Sequence, residues 1–477
     1  MITFLICLSL LVLAYIFYAR YLEHVCQIDS KAEVPSKRLY DGVDYIPLPR
    51  WRTFLIQLLN IAGVGPIFGA IIGACFGPVA FLWITLGGIF MGAMHDYISG
   101  VIVLRHDGLS LPEIIGHYLG NNVRQVMRVF SIFLLVLVGA VFILSPAGIL
   151  TNIFPAVPRL GWIILIIIYY FIATLLPVDK VIAKIYPLFG AALIFMAVGL
   201  LWVILTGDYT VPDLTFDTLK NYQPNADKMP IMPTLFISIA CGAISGFHAT
   251  QSPLMARCVN NEKECRKVFY GSMITESIIA LIWAAIAMAF FHGHDSLAAT
   301  LAEHGGDAGW AVNNISVTTL GVVGGILAML GVVAAPITSG DTAFRSARLI
   351  IADIFNIEQK SIARRLMISI PLFAVGLGIT LVDFDVIWRN FAWSNQTLAA
   401  VVLWVIVCYL YLRKRNYWVA LLPALFMTYI VSCFVFTSNQ FVGLGSTPLA
   451  YGLAGVLTFV VGVAMCIKLK PDGKSRN

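Results

Sequence analysis

Thirteen apolar runs dominate the chain, at residues 2–19, 54–76, 79–104, 126–150, 161–178, 185–206, 233–252, 271–291, 314–340, 366–382, 392–412, 416–437 and 447–467. Each is about 20 residues long, enough to cross the hydrocarbon core of a bilayer as a helix. With so many segments needing lipid or one another, the expected fold class is an all-α polytopic membrane protein, one integral domain over residues 1–477. Composition agrees: 59% of residues are hydrophobic, 12% charged, and the mean hydropathy is +0.87. Residues 2–19 lack a charged leader and a small-residue cleavage site, so they are read as a retained extra span and not a signal peptide.

Basic residues orient the spans. All but Arg159, Lys220, Lys228 and Arg389 of the 31 Lys and Arg fall on one set of alternating loops, the side that the positive-inside rule makes cytoplasmic. The N-terminus is then outside and the C-terminus cytoplasmic. The net charge of +6 is accounted for by these loops, and no nucleic-acid partner is expected. Nine scattered cysteines, none in an outside loop, indicate no disulfide framework. Cys258 and Cys265 share a loop without paired zinc-ligand spacing. The outside loops 207–232 and 292–313 carry Asp208, Asp213, Asp217, His292, His294, Asp295, Glu303 and His304 without a regular ligand pattern, and are read as a solvated rim. No nucleophile–base pairing stands out, so an enzyme is not expected, nor a cofactor beyond a coupling ion, H+ or Na+.

Counting spans one to ten from residue 54, two are interrupted. Span one contains Asn60-Ile61-Ala62-Gly63-Val64-Gly65-Pro66, and span six contains Ala240-Cys241-Gly242-Ala243-Ile244-Ser245-Gly246-Phe247-His248. Proline removes a donor and glycine loosens a helix, and freed backbone groups at membrane depth must face protein or a hydrated cavity. Five helices separate the two starts, so the halves 54–206 and 233–412 run in opposite directions: the arithmetic of a five-plus-five inverted repeat with two tail spans at 416–467. Ala62, Gly63, Val64, Gly65, Gly242, Ser245, Gly246 and His248 are the candidate substrate-binding residues, lining a hollow between the breaks. The plain alternative is that the glycines only let helices pack closely.

Ionisable groups inside spans are costly and usually functional. His95 and Asp96 in span two, His248 in span six and Glu276 in span seven are candidates for carrying a proton. As helix neighbours, His95 and Asp96 point about 100° apart and need not touch. Near the expected cytoplasmic end of span eight, Ala335-Pro336-Ile337-Thr338-Ser339-Gly340-Asp341 places two hydroxyls and a carboxylate after a proline, oxygen ligands suited to a small cation. The alternative is that Thr338 and Ser339 bond back to their own helix and Asp341 caps the next segment of chain. Span ten opens with Trp393, Ser394, Asn395 and Gln396, a candidate outer gate or an aromatic belt. Gln251–Arg257 and Thr342–Arg348 read either as helix ends whose cations hold loops to the inner face or as plain topology determinants.

With those segments in view, the chain resembles the carbon starvation protein A (CstA) family, through Asn60–Gly69, GFHATQSPLMAR (Gly246–Arg257), VFYGSMITE (Val268–Glu276), PITSGDTAFRSARLIIAD (Pro336–Asp353) and FAWSNQTLAA (Phe391–Ala400). The resemblance implies a carrier in the plasma membrane, the bacterial inner membrane, linked to uptake when preferred carbon is scarce. Members are described as peptide transporters and others as proton-driven pyruvate carriers. The family is also similar in organisation to the amino acid–polyamine–organocation superfamily, whose LeuT-like fold breaks core helices one and six. Carried over by position, Ala62 to Gly65 and Gly242 to Gly246 would line the substrate site. Sodium would sit at Ala62, Gly65, Ala335, Thr338 and Ser339, or Lys184 would replace it in a proton-coupled relative. This chain has two tail spans where longer members extend further. The expected function is cation-coupled import of a small organic solute from across the bilayer, pyruvate or a similar monocarboxylate ahead of short peptides; a nutrient sensor signalling to a partner is the alternative from another class.

Overall fold

In the computed structural model residues 1–469 are described, apart from 43, 176, 177 and 360, without the side chains of 178–185, 322, 323, 327 and 385. Among the described residues the protein is wholly helical. In order come α1 (Ile2–Cys26), α2 (Arg50–Ile61), α3 (Gly65–Ala74), α4 (Val79–Arg105), α5 (Asn121–Ile153), α6 (Arg159–Leu175), α7 (Val178–Thr206), α8 (231–238), α9 (Gly246–Ala256), α10 (Glu262–Phe290), α11 (Ala308–Phe355), α12 (Ile362–Ile379), α13 (Phe384–Leu412), α14 (Trp418–Thr437) and α15 (Pro448–Leu469). Among the described residues ten helices are long and apolar enough to cross a membrane, or eleven when α2 and α3 count as one bent span. The protein is a multi-pass membrane protein.

Both interruptions expected from the glycines are real. Between α2 and α3 the axis turns by 58°, because Ala62 leaves the helical region (φ −80°, ψ 55°) and Pro66 brings no N–H to the next turn. Between α8 and α9 the chain is unwound from Ile239 (φ −93°, ψ 73°) to the extended Ser245 (φ −145°, ψ 124°). One carbonyl freed there is satisfied by protein, since the indole Nε1 of Trp83 donates to Ile239 O at 3.0 Å.

Around this pair, α4 and α10 form a buried inner layer. α11 packs along α5 and α7, and α15 shows lipid a ridge of exposed Leu449, Val456, Phe459, Val460 and Ile467. Span eight differs from expectation: α11 begins at Ala308, bends at Gly321 (φ +68°) and continues to Phe355. Thr338, Ser339 and Asp341 therefore lie inside a helix and not at its end, and Asp341 is no cap.

Candidate functional site

The two breaks meet. A β-carbon on Gly65 would lie 2.3 Å from the Cys241 sulfur, one on Gly69 would lie 2.8 Å from Ser238 O, and one on Gly73 would lie 2.3 Å from the Ile239 side chain. Gly63 faces the Phe142 ring, Gly242 faces the Ala280 methyl, and Gly246 meets the backbone of Asn395 and Ala399, all at 2.3–2.6 Å from a notional β-carbon. Instead of lining a hollow, these glycines are used for close approach, and Ala62 and Val64 are fully buried between them. Each missing side chain admits a neighbour at close range.

Four ionisable side chains from three helices form a continuous chain against the second break. His95 Nδ1 lies 2.7 Å from Asp96 Oδ1, Asp96 Oδ2 lies 2.8 Å from His248 Nδ1, and His248 Nε2 lies 3.4 Å from Glu276 Oε2. All four side chains are fully buried. His95 and Asp96 do touch, a contact the helical wheel left open, because the aspartate carboxylate reaches back along α4 to its neighbour's ring and forward to His248 at once. His248 is no packing residue: it sits at the start of α9, between two acids. Its Nε2 contact with Glu276 is not aligned as a hydrogen bond, so both Glu276 oxygens and His248 Nε2 make no hydrogen bond; His95 Nε2, at the other end, makes none either. Two carboxylates and two imidazoles in a dry space are tolerable only when protons keep the group near neutrality, so gain or loss of one proton alters every contact in the chain. Cys241 joins the far end: its thiol, His248 and Glu276 offer ligand atoms all within 4.8 Å of one another. That set suits a borderline divalent cation and is one donor short of a closed tetrahedral zinc site.

The remaining candidates have separate tasks. Ser339 donates to Leu59 O of α2 at 2.8 Å, while Thr338 turns to its own helix, at 3.0 and 2.9 Å from Ala334 O and Ala335 O. Asp341 accepts from the Tyr186 hydroxyl at 2.9 Å and lies 3.8 Å from Arg345. Lys184 lies outside the described side chains. Of the span-ten residues, Trp393 packs against Phe441 at a tilt, with ring centroids 4.6 Å apart, and Gln396 donates to Phe236 O at 3.2 Å; Ser394 is buried with its hydroxyl unpartnered. Asn395 has the most specific role: its Oδ1 accepts from Phe247 N at 2.7 Å and from the Ser245 hydroxyl at 3.1 Å. It is an N-cap for α9 supplied by another helix, one not visible in sequence because the partners are separated by about 150 residues. Asn395→Ala is expected to cost about 1–2 kcal/mol, read as a lower thermal unfolding temperature of the purified protein. Asn395→Asp, which keeps the acceptor, should fall less; an equal fall would contradict the capping role.

At the rim, His304 stacks on Trp310 and His294 meets Tyr222 at a tilt of 58°, each with ring centroids 3.6 Å apart. Burial, with Lys220 nearby, keeps the His294 imidazole below its ordinary range. Arg257 ties neighbouring loops together, donating to Gly108 O at 3.1 and 2.9 Å and lying over the Tyr45 ring. Arg345 and Arg348 instead point into the protein and are buried.

Comparison with known proteins places this geometry. The family described as carbon starvation protein CstA matches residues 1–157 and 148–327. An uncharacterized membrane protein of Haemophilus influenzae is 40% identical over 62% of this chain and 93% of its own length. The peptide transporter CstA of Escherichia coli is 24% identical over 88% of this chain and 78% of its own. The pyruvate/proton symporter BtsT of Escherichia coli is 28% identical over 57% of this chain and 47% of its own, so that match spans about half of the relative. In fold the chain is similar to the crystal structure of a manganese transporter of Eremococcus coleocola, with a TM-score of 0.53 at 12% identity, over 90% of this chain and 97% of that one. On the extent of the family match, the chain belongs to the CstA carbon starvation family.

Proposed function

We propose that the protein is an alternating-access secondary transporter of the bacterial inner membrane that imports a small organic nutrient together with a proton. Pyruvate or a similar monocarboxylate is placed ahead of short peptides. The observation that carries this reading is the buried chain His95–Asp96–His248–Glu276 seated on the unwound segment of α8–α9. His248 is the third residue of α9, so a change in its protonation acts directly on the half-helix that must move. Names of relatives favour both a pyruvate/proton symporter and peptide transporters.

The architecture proposed with it has thirteen spans, counting the short α6 and the interrupted α8–α9 with the eleven above. It is arranged as the LeuT-like five-plus-five repeat over 54–206 and 233–412, N-terminus outside and C-terminus cytoplasmic. Contact between the two breaks supports that arrangement. For coupling, the proton is preferred to sodium because the Thr338 hydroxyl is turned onto its own helix; Ser339, bonded to Leu59 O, keeps α2 and α11 together.

The test is uptake of labelled pyruvate into proteoliposomes holding the purified protein, under an inward proton gradient, with dipeptides as competitors. Saturable pyruvate uptake supports the reading; uptake of peptides alone overturns the substrate. Replacing sodium by choline should leave the rate unchanged, and Thr338→Ala with Ser339→Ala should leave it within about twofold, as expected for residues outside the coupling step. A sodium requirement lost in that double variant would bring the sodium site into the mechanism.

A further inference from the structure

On the basic side of the breaks a narrow cleft lies where α2, α9 and α11 converge. Asn60 lines it from α2, Leu254 from α9 and Arg257 from just beyond its end, Thr342 and Arg345 from α11, and Asp44 from the segment leading into α2. Two of these side chains are buried without the partners they need. Both amide atoms of Asn60 lack a hydrogen bond at zero exposure, and Arg345, 7% exposed, has an unpartnered Nε. The Arg345 guanidinium is otherwise met by Ala173 O at 3.2 Å and by Asp341 at 3.8 Å, too long for a close pair. Asp341 is itself engaged by the Tyr186 hydroxyl.

Buried amides and guanidinium groups left unpaired are costly to a fold, so the cleft is built for something that supplies acceptors. The residues lining it carry Arg257 and Arg345 against Asp44, an excess of one positive charge. Arg257 already donates to Gly108 O and lies over Tyr45. Arg345 is the cation left with an unused donor, and a guanidinium fork beside an amide is the arrangement that binds a planar oxyanion.

We infer that Arg345 and Asn60 bind the carboxylate group of the transported solute on its way to the cytoplasmic side, a step that rests on the transport reading. The cleft is closed from outside the helices by a strap. Ile46 N donates to Arg257 O at 3.2 Å and Leu48 N to Cys258 O at 3.0 Å, pinning residues 44–48 across the end of α9. Those two bonds tie the strap to the C-terminal end of α9, so the two move as one. Asp44 at the rim gives a dipeptide, but not pyruvate, a partner for its ammonium group.

The test is equilibrium binding to the full-length protein in lipid nanodiscs, with pyruvate, its uncharged amide pyruvamide, and glycylglycine as probes. Pyruvate should bind and pyruvamide should not, and Arg345→Gln should weaken pyruvate at least tenfold. Asn60→Ala, which removes no charge and leaves the Ala173 contact in place, should weaken it several-fold and guards against a folding defect in the first variant. Glycylglycine binding that is lost in both variants, and weakened by Asp44→Asn, with no pyruvate binding, supports the cleft while overturning the monocarboxylate reading. Pyruvate or glycylglycine binding that is unchanged in both variants overturns the cleft and leaves transport standing. If no probe binds the unmodified protein, this inference and the substrate reading both fail.

Discussion

Glu276→Gln is expected to abolish uptake driven by a proton gradient, by about 100-fold or more, the scale of losing a proton-transfer group, while exchange of solute across the membrane remains measurable. Glutamine matches glutamate in shape, so packing within α10 is kept. What it removes is the ability to gain and lose a proton 3.4 Å from His248 Nε2. Exchange persists because it moves a loaded carrier to and fro without discharging the proton. Asp96→Asn should have the same kinetic signature with a larger cost in stability, because Asp96 accepts from both His95 and His248. Measured uptake and counterflow in the same vesicles separate these effects. Full gradient-driven activity in both variants would remove the two acids from the mechanism.

The second large effect is structural. Gly246→Ala is expected to prevent stable folding or to destabilise by about 1–3 kcal/mol or more, as overpacking does. A β-carbon there would stand 2.5 Å from both Ala399 N and Asn395 O. Those are backbone atoms, so no rotamer change relieves the clash, and α9 would have to separate from α13 and from its Asn395 cap. Gly92→Ala belongs to the same class, with a β-carbon 2.2 Å from Ala243 O inside the second break. Gly452, with no atom within 4 Å of its notional β-carbon, is the control, and alanine there should be neutral or slightly stabilising in an exposed helix. Thermal unfolding of the three purified variants checks this. Unfolding temperatures that match for Gly246→Ala and Gly452→Ala would contradict the close approach.

Helix placement was legible because apolar length is a one-dimensional signal, and both breaks were legible because glycine and proline mark them locally. What sequence could not supply is which surface faces which. Gly88 and Gly92 look like ordinary small residues of α4, yet they are the surface against which Ser277 and Ala243 pack. The glycines of the breaks read as a binding site, whereas the structure uses them as contact points. Separation in sequence also hid the joining of Asp96 to His248 and the cap that Asn395 provides for Phe247. His95 and Asp96 show what the helical wheel leaves undecided: it places Cβ directions, but a carboxylate and an imidazole extend far enough along the helix to meet. The Asn60 and Arg345 cleft carries no motif at all, and its signal is the lack of partners in three dimensions.

Proton movement accompanying solute is the most direct measure of the central claim. With the protein reconstituted in vesicles containing a pH-sensitive dye and no imposed gradient, external pyruvate should acidify the interior in a fixed ratio to the pyruvate taken up, and Glu276→Gln should show no acidification. Pyruvate accumulation with no change in internal pH, in the unmodified protein, would contradict the account.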